Sequence, residues 1–156
     1  MKNIFFAILF CFFFLVLFSF KTHAQVSSRP LTMAEIGYPW KNSELLEPAT
    51  LADILKSENE KITILNIGIV EDLPGAVHIG AVSNQQNMER LQQTLKGLPK
   101  DQPLVIYCGC CPFTKCPNIQ PAYQELKKEG FTQIKVLDLP VNLKTNWISK
   151  DYPLSK

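Results

Sequence analysis

Apolar positions change their period several times along the chain, and each change marks an element. Leu51, Ile54 and Leu55 recur at helical spacing, with Thr50 as the expected N-cap and Asp53 at the third position. Lys61 to Ile69 is instead a β-branched run, with Ile62, Ile64, Ile67 and Ile69 around Leu65, closed by the turn-like Glu71-Asp72-Leu73-Pro74-Gly75. Short, almost wholly apolar runs of this kind fit strands covered on both faces. Ala76 to Val82 adds a further short strand. Asn87 to Lys96 returns to a helical stripe of Met88, Leu91 and Leu95, stopped by Gly97 and Pro99. Leu104-Val105-Ile106-Tyr107 reads as a buried strand and Pro121 to Glu129 as an amphipathic helix, with Gly130 where a left-handed cap belongs. Ile134 to Leu137 is the last strand.

Strands alternating with helices imply crossover connections, hence an α/β fold: a mainly parallel central sheet of about five strands with helices on both faces. Ligands of such sheets bind just outside the carboxyl ends of the strands. Residues 45–156 are expected to form this domain. Residues 25–44, polar and broken by Pro30, Gly37 and Pro39, form an extended lead-in that packs Tyr38 and Trp40 on it. Trp147 and Tyr152 read as core or edge packing.

Composition sets the N-terminus apart from the rest of the chain. Eight of the ten Phe fall in the first 20 residues, where an apolar run from Ile4 to Phe20 follows Lys2. Thr22-His23-Ala24 then places small residues before Gln25, so residues 1–24 read as a cleaved secretory signal peptide. Export to the periplasm or the cell exterior follows, with no stable membrane association after cleavage. Cys11 within the run is an apolar filler. Residues 25–156 carry 14 Lys+Arg against 14 Asp+Glu, with Arg29 and Arg90 the only arginines. A neutral domain lacks the basic footprint of a nucleic-acid binder. A monomer is expected.

Export also changes how the cysteines are read, because an oxidising compartment lets free thiols pair. The other four all lie between Cys108 and Cys116, in Cys-Gly-Cys-Cys-Pro-Phe-Thr-Lys-Cys-Pro. Bridges within so short a stretch close small loops and contribute little entropic stabilisation, so the cluster has the look of a site. Cys108 directly follows a buried strand in a loop leading to a helix, where loop amides and the helix dipole favour a thiolate. Lys115 is the loop's one cation. Cys108 and Cys111 form a C-x-x-C pair, and Cys116 sits near the helix start. Sulfur chemistry, thiol–disulfide exchange, binding of Cu(I) or Zn(II) by thiolates, and purely structural bridging all remain open on these residues. No arginine stands in the loop to clamp a phosphate, which argues against phosphatase chemistry. His78, within a strand, is read as structural, and Asp138, just past a strand, as a turn residue.

The order of pieces from about residue 45 to 154 resembles a single rhodanese-like domain. The matching stretches are Leu73-Pro74-Gly75-Ala76-Val77-His78-Ile79, Pro103-Leu104-Val105-Ile106-Tyr107-Cys108, Ala122-Tyr123-Gln124-Glu125-Leu126 with Glu129-Gly130-Phe131, Val136-Leu137-Asp138, and Trp147 with Tyr152-Pro153. Asn66 and Gly68 stand where that family often has Asp and Arg. The resemblance implies a sulfurtransferase that needs no cofactor or metal, with a small sulfur donor and a thiol acceptor as its partners. It makes Cys108 the persulfide carrier, and it makes Gly109, Cys110, Cys111, Phe113, Thr114 and Lys115 the substrate-binding cradle. Cys111 or Cys116 would be the resolving or regulatory thiol.

Overall fold

Five strands line up in the order β1-β5-β4-β2-β3, every neighbouring pair parallel. They are β1 (Leu45–Leu46), β2 (Thr63–Asn66), β3 (Ala76–His78), β4 (Leu104–Tyr107) and β5 (Ile134–Leu137) in a computed structural model that describes residues 30–57 and 61–155. The leader at 1–24 and the first residues of the lead-in lie outside the described residues. Leu31–Lys156 form one compact unit.

Alternation along the strands divides the core in two. Leu65, Leu104, Ile106, Ile134 and Val136 face one side, where α2 (Gln85–Lys96) contributes Leu91 and Leu95 and α3 (Ile119–Lys128) contributes Ile119, Ala122, Tyr123 and Leu126. Ile64, Val105, Tyr107 and Leu137 face the other, under Leu51 and Ala52 of α1 (Pro48–Ser57) and Leu143 of the short α4 (Leu143–Asn146). All four residues of β4 are buried, as expected for the middle strand of a sheet sandwiched by helices.

Several boundaries differ from the sequence pattern, each for a local reason. α1 starts with Pro48 in its first turn, where the missing N–H costs nothing, and Leu51 N–H already donates to Glu47 O at 3.1 Å, so Thr50 is inside the helix rather than its cap. β2 stops at Asn66, whose side chain accepts the Gly68 N–H at 3.0 Å and turns the chain away; Ile69 is consequently 77% exposed instead of buried. α2 begins at Gln85 behind an Asn84 cap that accepts from Gln86 N–H. Gly130 has φ +85 as its capping position requires.

The lead-in carries a turn at its start, Tyr38 N–H donating to Met33 O at 3.0 Å, and a 3-10 turn at Asn42–Glu44. Trp40 is 1% exposed, stacked on Tyr38 at 5.1 Å, edged by Tyr123 at 5.8 Å and tilted against Phe113 at 6.1 Å. At the other end of the chain Trp147 is buried against Tyr152 and donates from Nε1 to Pro153 O at 2.8 Å.

Candidate functional site

The chain leaves β4 through Tyr107 and enters the cysteine loop at the carboxyl edge of the sheet. Tyr107 is a fixed post: its hydroxyl accepts the Leu73 N–H at 3.0 Å and donates to Glu71 O at 3.1 Å, tying down the loop after β2. Two glycines then let the backbone pass. A methyl on Gly68 would collide with the Cys108 carbonyl oxygen. Gly109 has φ +75, and a Cβ there would lie 2.9 Å from Leu143 and 3.0 Å from Val70. The loop is anchored to the segment after β5 by Leu143 N–H to Gly109 O at 2.8 Å and Phe113 N–H to Leu139 O at 3.1 Å.

All four cysteines in the described residues carry free thiols. Cys108 is 1% exposed, and its Sγ lies 3.3 Å from Cys110 Sγ; Cys110 Sγ in turn lies 3.5 Å from Cys111 Sγ. The sulfurs of Cys108, Cys110 and Cys116 all lie within 4.8 Å of one another, a set of soft ligands able to hold a metal ion or to exchange thiols and disulfides. Asn118 is 4% exposed and donates from Nδ2 to Cys108 Sγ at 3.3 Å, while its Oδ1 accepts the Ser83 N–H at 2.9 Å. That second bond fixes which end of the amide faces the sulfur.

These contacts sort the thiols. Hydrogen bonding from the Cys116 thiol, together with that from Asn118 and from the thiol and backbone N–H of Cys110, overcomes the opposing effect of burial and lowers Cys108 from 9.0 to about 5. The same contacts work against the donors. Partial burial of its sulfur, then the neighbouring Cys108 and Cys111, push the otherwise exposed Cys110 up to about 12, and donation to Cys108 followed by burial holds Cys116 protonated. One sulfur is ionised because two others keep their protons.

The expected cradle is therefore only partly built of loop amides. The N–H groups at the start of α3, those of Asn118 and Ile119, approach Cys116 rather than Cys108. Gly109 and Cys110 line an open cleft of about 490 Å³ with Val70, Asn142, Leu143 and Lys144. Cys111 is half-buried against the core. Phe113 is in the core under Trp40, the Thr114 carbonyl is taken by the Tyr38 hydroxyl at 3.0 Å, and Lys115 is exposed, so none of these three lines the cleft.

A second polar cluster stands at the ends of β2 and β3. Asn66, fully buried, donates from Nδ2 to Val70 O and Asp72 Oδ1, both at 2.8 Å, and Asp72 Oδ1 meets His78 Nδ1 at 2.9 Å. Burial acts to raise Asp72, but hydrogen bonds from Asn66 and His78 outweigh it and hold the carboxyl below its ordinary value. Asp138 belongs elsewhere: it borders a smaller cleft of about 200 Å³ with Glu47 and Tyr152, and burial, then Glu47, raises it.

Asn118 is the candidate-site residue that sequence reasoning missed. An Asn ahead of a helix reads as a cap, yet this one makes no capping bond and turns its amide to the sulfur instead. Comparison of the chain with protein-family models and with curated proteins finds no match to either.

Proposed function

We propose that the chain is an exported, rhodanese-like sulfane-sulfur carrier in which Cys108 takes a sulfur atom from a small donor and passes it to a thiol. The observation that carries this reading is the ring of donors on one buried sulfur: Cys116, Asn118 and Cys110 hold Cys108 as a thiolate at the carboxyl end of a central parallel strand. A thiolate is the form that attacks, and a low pKa also makes it a good leaving group. With thiosulfate, Cys108 Sγ bonds to the outer sulfur and the old S–S bond breaks, sulfite leaving with the electron pair. An acceptor thiolate then attacks the sulfur held on Cys108, which departs as the stabilised thiolate. The parallel α/β sheet and the order of motifs support the family resemblance, and the apolar leader pattern supports export.

Weighing the intact chain after incubation with thiosulfate tests this. A gain of one sulfur, about 32 Da, that disappears in Cys108→Ser is expected. The three sulfurs within 4.8 Å also favour a second reading, a soft-metal site for Cu(I) or Zn(II). Sulfurs each about 2.3 Å from one zinc ion sit within about 4 Å of one another, so the set closes on an ion with little movement. Stoichiometric metal on the purified chain, lost on substitution of Cys108, Cys110 or Cys116 and with no gain of sulfur, would replace the carrier reading.

A further inference from the structure

The sulfur that the carrier reading loads is not the one a large acceptor can touch. Cys108 is 1% exposed, behind Gly109 and Cys110, and does not line the cleft. Cys110 is exposed, lines the cleft, and places its Sγ 3.3 Å from Cys108 Sγ. A small inorganic donor needs only a transient displacement of Cys110 to reach the inner sulfur. A peptide-sized thiol cannot follow it.

We propose that Cys110 is a second sulfur-carrying residue, which receives the sulfane sulfur from Cys108 and presents it in the cleft to thiol acceptors. This rests on the carrier reading above. In the transfer, the Cys110 thiol first gives its proton to the anionic outer sulfur of the Cys108 persulfide, and the Cys110 thiolate so formed bonds to that sulfur as the inner S–S bond breaks. Cys108 leaves with the electron pair as its thiolate, giving a Cys110 persulfide. No oxidant or reductant is consumed.

Two features of the site suit this step. The leaving sulfur is the one that Cys116 and Asn118 stabilise as an anion, and exchange is faster when the leaving thiol is the more acidic partner. Room is also available. Two S–S bonds end to end span roughly 4 Å, so Cys110 must retreat from its 3.3 Å contact, and the cleft lies beside it. An acceptor thiolate in the cleft then attacks the outer sulfur, and the Cys110 sulfur leaves and takes up a proton. Val70, Leu143 and Ile148 give the cleft an apolar side, and Glu71 and Lys144 place one charge of each sign on it.

The experiment loads the full chain with thiosulfate, removes the excess, and follows loss of the added sulfur to glutathione by quenched intact mass. Wild type, Cys110→Ser, Cys110→Ala and Cys108→Ser are compared, with alkylation and fragmentation of the 101–115 peptide to locate the sulfur. The two Cys110 variants, each missing one of the donors to Cys108, are expected to load more slowly yet still to take up one sulfur, and once loaded to discharge about ten-fold or more slowly than loaded wild type, which carries part of its sulfur on Cys110. Discharge at the wild-type rate from both variants, with sulfur confined to Cys108 in wild type, overturns the relay and leaves the carrier reading standing. A wild-type chain that takes up no sulfur, or a Cys108→Ser chain that takes up as much, overturns both.

Discussion

Asn118 and Asn66 are built alike. Each rests its side-chain oxygen on a backbone N–H, Ser83 at 2.9 Å and Gly68 at 3.0 Å, and turns its NH2 toward an acidic group at the carboxyl edge of the sheet. Their surroundings differ. The Asn118 acid is a buried sulfur flanked by two protonated thiols, whereas the Asn66 acid is Asp72, one-third exposed and shared with the half-exposed His78. A hydrogen bond to a charge counts for more where water is excluded: in one place the amide joins the Cys116 thiol, the larger contributor, in lowering Cys108 from 9.0 to about 5, and in the other it helps lower a carboxyl against burial. Burial makes the cysteine cluster a candidate for chemistry; exposure leaves the Asp72–His78 pair as a tie between the loop after β2 and the end of β3.

The contrast breaks most severely at the shared wall. Gly68 lies between the two clusters, and Gly68→Ala drives a methyl into the Cys108 carbonyl. A loss of about 3 kcal/mol is expected in urea unfolding, with Cys108 turning reactive in the native state toward bulky thiol reagents. Next comes the amide that aims at the sulfur. Asn118→Leu removes a donor from the thiolate and leaves the Ser83 N–H unpaired, which is expected to lower stability by about 1–3 kcal/mol. Asn118→Asp places a like charge beside the sulfur and is expected to raise the pH midpoint of Cys108 alkylation.

The ionised and the protonated thiols make stability depend on pH in opposite senses. Cys108 is lowered on folding, so the unfolded chain binds the extra proton between about pH 5 and pH 9, and stability from this group rises with pH across that window. Cys110 and Cys116 are raised, so their effect begins only above pH 9, where the unfolded thiols ionise, and has the opposite sign. Thermal melting is expected to show the midpoint climbing from pH 5.5 to pH 8.5, with most of that slope gone in Cys108→Ser. The smallest effect is at the exposed pair: Asp72→Asn breaks the contact with His78 and is expected to cost under about 1 kcal/mol by the same melting measurement.

Legibility in the sequence followed the size of the apolar signal. The run 104–107 and the stripe Leu91, Leu95 gave β4 and α2 directly, because burial on both sheet faces and on one helix face imposes those periods. β1 left no trace of that kind: two residues, Leu45 and Leu46, pair with Val136 and Leu137, too short a stretch to display a period. The sequence also ran β2 on through Ile69, since an apolar residue past a strand looks the same whether it is buried or turned out. What ended the strand was a hydrogen bond from the backbone to Asn66, a polar cue inside an apolar run. At the site, Cys108 was legible from its place after a buried strand. Asn118 was not, because its partner lies ten residues back and its anchor at Ser83 comes from another element. The loop amides and the helix dipole were expected to favour the Cys108 thiolate, and the N–H groups at the start of α3 approach Cys116 instead, a difference of side-chain direction that spacing does not encode.

Every step proposed for this site runs through one ionised sulfur, that of Cys108. The most direct test of that ionisation is the pH profile of Cys108 carbamidomethylation in the native chain, read residue by residue as mass on the fragment that contains it. Half-maximal rate near pH 5 is predicted, far below the 9.0 of an ordinary thiol; a midpoint at 8 or above would contradict it.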